Sequence, residues 1–461
     1  MMMTALVVAA ALAQALVDMP PARASVIEGR PRAKHLSPLQ SRIDAAQPGE
    51  RIVVHGGTYR GDLIIDRSVA VIGEGRPLLI GSGSGSVVRV RAPGVEIAGF
   101  DIDGGGGGDL GRDASGIHVA AANVRISDCR IRNSLFGIYL REATGARVEH
   151  CRIDGIPGRE PGEIGSGIHL WNTEGFVLED NEIAGTRDGI YIQSSNHGFV
   201  RRNHAHDLRY GLHYMFSDDN VFEDNTFENG AAGTALMYSR RLTFRRNRFV
   251  HNRGFASVGL LFKACEDVLA EHNLIADNAR GIFIEGSFRN VFRGNVIAMS
   301  DQAIVLYDSS GDNTFEGNAF IANFTPLALV GRRTDTRFAG NYWSDHLQPD
   351  LDGDGIADRP YRLSNVFDHL RGNLTAADLF AHGPAARALG AAERAFPVLD
   401  LIPVVDERPL ARAPRLQAVP SGGVAGSAAR HAGVHAAAAS FLLVAGVVVL
   451  ATGRRSWVGR R

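Results

Sequence analysis

Cysteine is scarce in this sequence: three residues in 461, none of them in a C-x-x-C pair. That excludes a disulfide scaffold and a zinc ribbon. An excess of charge of either sign is also missing. Lys and Arg number 49 against 50 Asp and Glu, a formal net charge of −1, which speaks against a nucleic-acid partner. Helix-period apolar runs are absent from the middle of the chain, and so is the G-X-Y period of collagen. What is abundant is glycine, 54 residues or about 12%, against about 7% in ordinary domains. Hydrophobic residues make up 45%, enough for a sizeable core.

Both ends carry apolar runs. Residues 4–17 have the length of a signal-peptide h-region, and Ala22-Arg23-Ala24 supplies a small-residue cleavage site. The n-region lacks Lys and Arg. Residues 1–24 are therefore expected to direct export. At the other end the stretch 436–453 reads as a transmembrane helix, near the minimum length for a span. Arg454, Arg455, Arg460 and Arg461 follow it, which places that terminus in the cytoplasm and the rest of the chain outside. Residues 411–435, rich in Ala, Gly, Pro and Arg, read as a linker.

Between the ends a motif of Gly followed by apolar-x-apolar recurs. It begins at Gly116, Gly137, Gly167, Gly189, Gly211, Gly233, Gly259 and Gly281, in steps of 21, 30, 22, 22, 22, 26 and 22 residues. Asn181, Asn203, Asn225, Asn247, Asn273, Asn295, Asn318 and Asn341 keep the same beat, including the step of 26. A leucine-rich repeat of this period needs L-x-x-L-x-L-x-x-N and helix-forming stretches, which are missing. The pattern predicts an all-β parallel β-helix over 51–345, with three short strands per coil of about 22 residues. Each glycine is expected to bend the chain between strands. Each asparagine is expected to take a left-handed turn conformation and bond to its neighbour one coil away.

Ser37-Pro38 before Leu39, Ile43 and Ala46 predicts a short capping helix within 25–50, stopped by Pro48-Gly49. Such a helix would shield the open sheet edge. Loops are expected at 157–165 and at the glycine run 104–108. Cys129 and Cys151 precede Ile131 and Ile153 by two residues, the ladder position that asparagine takes later. Stacked about 4.8 Å apart, they suit either a disulfide or two small core residues. Cys265 falls in a turn as a lone thiol.

In the Gly-apolar-x-apolar strand the apolar pair faces in and x faces out. Coil by coil, x is His118, Tyr139, His169, Tyr191, His213, Ala235, Leu261 and Phe283. The next outward column is Arg141, Trp171, Gln193, Met215, Met237, Lys263, Glu285 and Tyr307. His118, Tyr139, His169, Trp171 and Tyr191 form a candidate partner-binding face. His213, Met215 and Met237 form its softest cluster, of the ligand type that suits Cu(I). The same residues also suit an aromatic surface for a protein or a sugar. Sugar-cleaving enzymes need clustered carboxylates there, and these two columns hold only Glu285. A carbohydrate-active enzyme and a passive surface-binding protein are thus the rival readings.

The segment 346–410 reads as a C-terminal cap. Asp350, Asp352, Asp354 and Asp358, with Gly353 and Gly355 between them, resemble the first half of a Ca2+ loop. Tyr361 stands where the loop's bidentate glutamate would be.

The stretch 209–220, running from Arg209 through His213 and Met215 to Asn220, is similar to the NosD family, periplasmic maturation proteins of nitrous oxide reductase. So are 340–345, leading into the aspartate loop and Pro360-Tyr361, and Arg394 through Asp400. The resemblance covers roughly 25–410. It implies a right-handed β-helix exported to the periplasm, with a non-enzymatic role in assembling the copper centres of nitrous oxide reductase. It also implies three partners besides that client: the permease and the ATPase of an ABC transporter, and a copper-carrying chaperone lipoprotein. Transient Cu(I) and a structural Ca2+ are the expected ions. The uncharged n-region and the C-terminal span, which would anchor the protein to the inner membrane, depart from the family pattern.

Overall fold

The computed structural model describes residues 38–363 and 404–414, apart from 108, 109, 255, 256 and 332, together with the single residue 388. The stretches 1–24 and 436–453, read above as signal and span, lie outside the described residues, as does most of the linker. No helix among the described residues is long and apolar enough to cross a membrane.

The chain is all-β apart from one α-helix and two short 3-10 turns among the described residues, and it winds as a parallel β-helix. Every third strand pairs in register with the one a coil earlier, giving sheets of 15, 13 and 12 strands. The first sheet starts at Arg51–His55, the second at Thr58–Arg60 and the third at Leu63–Ile65. Phe222 pairs with Phe244, Phe227 with Phe249, and Ile190 with Leu212. Identical residues thus stack up the axis: the Phe222 and Phe244 rings lie 4.4 Å apart and 5° from parallel, as do Phe292 and Phe315 at 7°. A coil cannot bury its apolar face alone, so stacking neighbours is what makes the core continuous.

The asparagines do form a ladder, although not by adopting left-handed backbone themselves. That conformation falls on the residue before each of them: Asp180, Arg202, Asp224, Arg246 and His272 have φ of 53–55°. One such residue and the asparagine after it make the whole turn between the first and second sheets. It aims the following asparagine inward, where each is at most 1% exposed. Asn203 Nδ2 donates to Asn225 Oδ1 at 3.0 Å, and Asn225 to Asn247 at 2.9 Å. The same oxygens accept the backbone N–H one coil back. Cys151 occupies this position earlier in the chain, its N–H donating to Asn181 Oδ1 at 3.0 Å. Cys129 and Cys151 are buried thiols in adjacent coils. A hydroxyl ladder through Thr173, Ser195, Ser217 and Ser239 lines the corner after the third sheet. Cys265 continues it in the register of Ser239, and burial pushes its thiol up to about 12.

The heading glycines differ from expectation too. Gly137, Gly189 and Gly211 are not among the positive-φ residues. They are small because they point into the core corner. A Cβ on Gly189 would stand 2.6 Å from the Gly211 carbonyl and 2.8 Å from Ala205 Cβ. By strand alternation the residue before the glycine lies on the opposite face, away from that core corner, which matters for the site below.

The helix Pro38–Ala45 buries Leu39 and Ile43 against the first coils. Gln40 does what a neighbouring strand would do. Its Oε1 accepts from Ile64 N at 2.8 Å and its Nε2 donates to Ile64 O at 2.9 Å, closing the third sheet's open edge. At the far end Val405–Asp406 adds to the first sheet beside Phe338. The Asp406 carboxylate is fully buried. It accepts from Gly340 N, Asn341 N, Asn341 Nδ2 and Trp343 Nε1 at 2.9–3.2 Å, which ends the asparagine ladder.

Candidate functional site

The outward face of the third sheet carries the chemistry. Its x column is a continuous stack of rings. His118 meets Tyr139 edge-on at 5.2 Å, Tyr139 meets His169 at 4.5 Å, His169 lies flat on Tyr191 at 4.4 Å, and Tyr191 meets His213 edge-on at 4.8 Å. Parallel pairing one coil at a time places these rings face to edge or face to face, the geometry aromatic quadrupoles prefer. Trp171 sits in the second column with the Arg141 guanidinium 5.0 Å over its ring.

All three long insertions leave the same corner, between the second and third sheets. They are 104–114, 155–167 and 251–257. The expected loops at 104–108 and 157–165 are therefore both on this rim. The second buries Ile156 and Ile164 with Leu135 and Phe136 in a satellite core, and Phe136 stacks on Tyr139 at 5.5 Å. The third, which makes the 26-residue step, walls a cavity of about 640 Å3. Its floor is Tyr210, Ala235, Met237 and Leu261, and its rim includes His251 and Arg253.

Beside this cavity stand the three soft candidates. Met215 and Met237 are in direct register in neighbouring coils. His213 lies two residues before Met215 on the same face of its strand, Tyr210–Met215. Tyr191 Oη lies 4.0 Å from Met215 Sδ. His213 Nδ1 lies 3.2 Å from Asp188 Oδ2, and Arg209 clasps both oxygens of that carboxylate at 2.9 and 2.7 Å. The Asp188 side chain is 3% exposed and that of His213 14%. Burial pushes the Asp188 carboxyl up, but the hydrogen bonds from His213 and Arg209 outweigh it and hold the group below the usual range.

An ionised Asp188 fixes His213 with the proton on Nδ1 and leaves the Nε2 lone pair outward. That pairing of carboxylate, imidazole and metal-facing nitrogen recurs at protein metal sites. Burial also pushes His169 down to about 3 and His118 to about 4. Both are neutral imidazoles at pH 7, and His169 Nδ1 meets no hydrogen-bond partner among the described residues.

Asp188, Arg209 and Tyr210 were missed in the sequence because they lie outside the two columns read there. A signal existed. The residues preceding the eight heading glycines include one carboxylate, Asp188, and strand alternation sets that position on the face opposite the inward-facing glycine.

In the C-terminal cap, the carboxylates of Asp350, Asp352 and Asp354 converge within 4.8 Å of one another. Asp358 stands apart from them, its Oδ2 accepting from Leu351 N at 3.2 Å. Tyr361 points away from the loop. It is stacked on Trp343 at 4.6 Å with its hydroxyl on Asp345.

The sequence profile of the family described as "Periplasmic copper-binding protein (NosD)" matches residues 152–348, which include His169 and Tyr191 of the ring stack and the His213/Met215/Met237 cluster. Two curated relatives are both called "Probable ABC transporter binding protein NosD". The one from Pseudomonas aeruginosa is 31% identical over 426 residues, covering 89% of this chain and 96% of the relative. The one from Stutzerimonas stutzeri is 32% identical over 378 residues, covering 78% and 86%. Among solved structures, an alginate lyase complex superposes with a TM-score of 0.50 at 13% identity, covering 66% of this chain and 81% of the lyase. At that identity the likeness shows the fold alone. Both curated relatives exceed 30% identity over more than two thirds of this chain, and the chain belongs to the NosD family of periplasmic copper-binding proteins.

Proposed function

We propose that this protein takes Cu(I) on the third-sheet face and passes it on during assembly of the copper centres of nitrous oxide reductase. The observation that carries the reading is the Asp188–His213 pair beside two thioethers in register. An imidazole nitrogen and two sulfurs suit Cu(I). They sit on an open face next to a cavity, so exchange with another protein is not blocked. The ring column from His118 through Tyr139, His169 and Tyr191, with Trp171 beside it, is the surface on which client or carrier docks. The relatives' printed names support work alongside an ABC transporter. We assign the permease and ATPase of that transporter and a copper-carrying lipoprotein as partners, with 1–24 as the export signal and 436–453 as an inner-membrane anchor.

The test is Cu(I) binding by the purified protein in reductant, read by competition with a chromophoric chelator. Met215→Leu with Met237→Leu keeps volume while removing both sulfurs. Affinity is expected to fall on the order of a hundredfold, about 2.7 kcal/mol. Unchanged affinity would remove this site. The rival reading, a carbohydrate-active enzyme, has Asp188, His213, Arg209 and Tyr191 in its favour as a grouping. Against it, the Asp188 carboxylate is held ionised by the Arg209 guanidinium and the His213 ring N–H and has no proton to give. Turnover of a polyuronide by the wild type would decide for the enzyme.

The Asp350/Asp352/Asp354 cluster fits a hard cation by its oxygen donors, and we assign it a structural Ca2+, with Asp358 holding the loop's backbone rather than closing the site. Ca2+ at about a hundred times Kd is worth about 2.7 kcal/mol of stability. The melting temperature should therefore rise on adding Ca2+ and return with a chelator. A melting temperature indifferent to both would dispose of the assignment.

A further inference from the structure

The asparagine ladder begins at Asn181, and the two coils before it carry a thiol in the same place. Strand pairing on both sides of the turn fixes this. Arg125 pairs with Arg147 and Arg130 with Arg152, so Cys129 lies directly opposite Cys151 in the neighbouring coil. Both stand in the core, 0% and 1% exposed. Neighbouring strands put their Cα atoms about 4.8 Å apart, inside the range of about 4.4–6.8 Å that a disulfide spans. The two sulfurs also meet. A hydrogen bond with Cys151 holds the Cys129 thiol below its ordinary value, and the same contact pushes Cys151 well up.

The surroundings tolerate the loss of both thiol hydrogens. The Cys129 thiol donates to Ser127 O at 3.3 Å and the Cys151 thiol to Glu149 O at 3.4 Å. Each of those carbonyls also accepts a backbone N–H, from Gly99 at 3.2 Å and from Asp128 at 3.1 Å. Oxidation therefore leaves neither carbonyl unpaired. Cys265 has no such partner, because the coils on either side set Ser239 and Ser287 against it.

A covalent link here supplies what the ladder lacks. Asn181 gives its amide N–H groups to Asn203 Oδ1 and Val148 O, and from Cys151 it receives only a backbone N–H. A thiol has one weak donor and no amide. The coil that the bond would close, 129–151, lies between the insertions 104–114 and 155–167 and carries Phe136 and Tyr139 of the ring face.

We infer that Cys129 and Cys151 form a disulfide as the chain folds in the periplasm, the compartment of this family and one that sustains such bonds. One thiolate attacks the disulfide of a protein dithiol–disulfide oxidant, and the second attacks the mixed disulfide that results. The pair gives up two protons and two electrons, the S–S bond forms, and the oxidant leaves as a dithiol. The finished core admits no oxidant, so the bond forms before these coils close. It is independent of the Cu(I) reading, and either can fail without the other.

The experiment uses the full chain harvested from the periplasm, quenched in acid, then denatured and alkylated without reductant. Trypsin releases 126–130 and 148–152, each with one cysteine. Mass spectrometry is expected to find these two peptides joined, lighter than their sum by two hydrogens. One alkylated thiol should remain per chain, that of Cys265. Reductant before alkylation should separate the peptides and raise the count to three. Cys265→Ser should keep the joined peptide and leave no alkylated thiol. Three alkylated thiols in the unreduced wild type would overturn the inference. So would a link from either cysteine to Cys265.

Discussion

Asp406→Ala is expected to lower the stability of the C-terminal coils by about 3–5 kcal/mol, the usual cost of removing one partner from a buried charged network. The carboxylate is wholly buried and receives five N–H groups at the end of the asparagine ladder. Alanine would remove the shared acceptor of all five hydrogen bonds. Asp406→Asn is expected to rescue little. In the other coils the amide nitrogen donates to a carbonyl one coil back, as Asn341 does to Phe315 O at 2.9 Å. At 406 the corresponding oxygen accepts from Gly340 N and Arg408 N, so an NH2 there would confront two N–H groups. A solenoid need not unfold in one step, so the readout is local. Hydrogen exchange at 337–343 should accelerate by more than about a hundredfold while the coils around Asn203 keep their protection. Equal protection of the last coils in wild type and variant would show that the ladder needs no terminator.

Asp188→Ala should cost a similar amount, about 3–5 kcal/mol, because it strands the Arg209 guanidinium and the His213 imidazole at a buried position. The isosteric Asp188→Asn separates charge from shape. The Asp188 carboxyl is held below its ordinary value in the folded protein. A group depressed in this way adds stability above its unfolded value of about 4, and that stability is lost as pH falls through the lower folded value. Wild type should therefore lose stability below about pH 4 along a slope that Asp188→Asn lacks. Urea midpoints from pH 3 to 7 measure this. A wild-type advantage that stays constant with pH would mean that the pair contributes shape alone. The same variant should weaken Cu(I) binding by about ten- to a hundredfold, since the imidazole is no longer held in one tautomer.

How much of this was legible in the sequence depends on which residue is asked. The outward sequence His118, Tyr139, His169, Tyr191, His213 was readable because strand parity and a 22-residue beat fix both the face and the neighbour. The structure stacks those five rings in that order. The Met215–Met237 register was readable for the same reason. The ladder was readable as a ladder, but its left-handed turn was placed one residue late. Asparagine tolerates that conformation well, and nothing local says that Arg202 adopts it in place of Asn203. The heading glycines were taken for bends. They are instead close approaches between coils, a property of two chain segments 22 residues apart.

The sequence by itself determined the coil length, the inward core, the ladder columns and the position of the capping helix. The first three repeat along the chain, and a period carries its own evidence; the helix was marked by its own Ser37-Pro38 start and Pro48-Gly49 stop. Tertiary structure alone decided that Asp188 faces His213, that 104–114, 155–167 and 251–257 share one rim, and that Asp406 closes the ladder. Those contacts form where the chain turns a corner or returns after an insertion. The angle of such a turn is set by packing against the next coil, and that coil is spatially adjacent but distant in sequence.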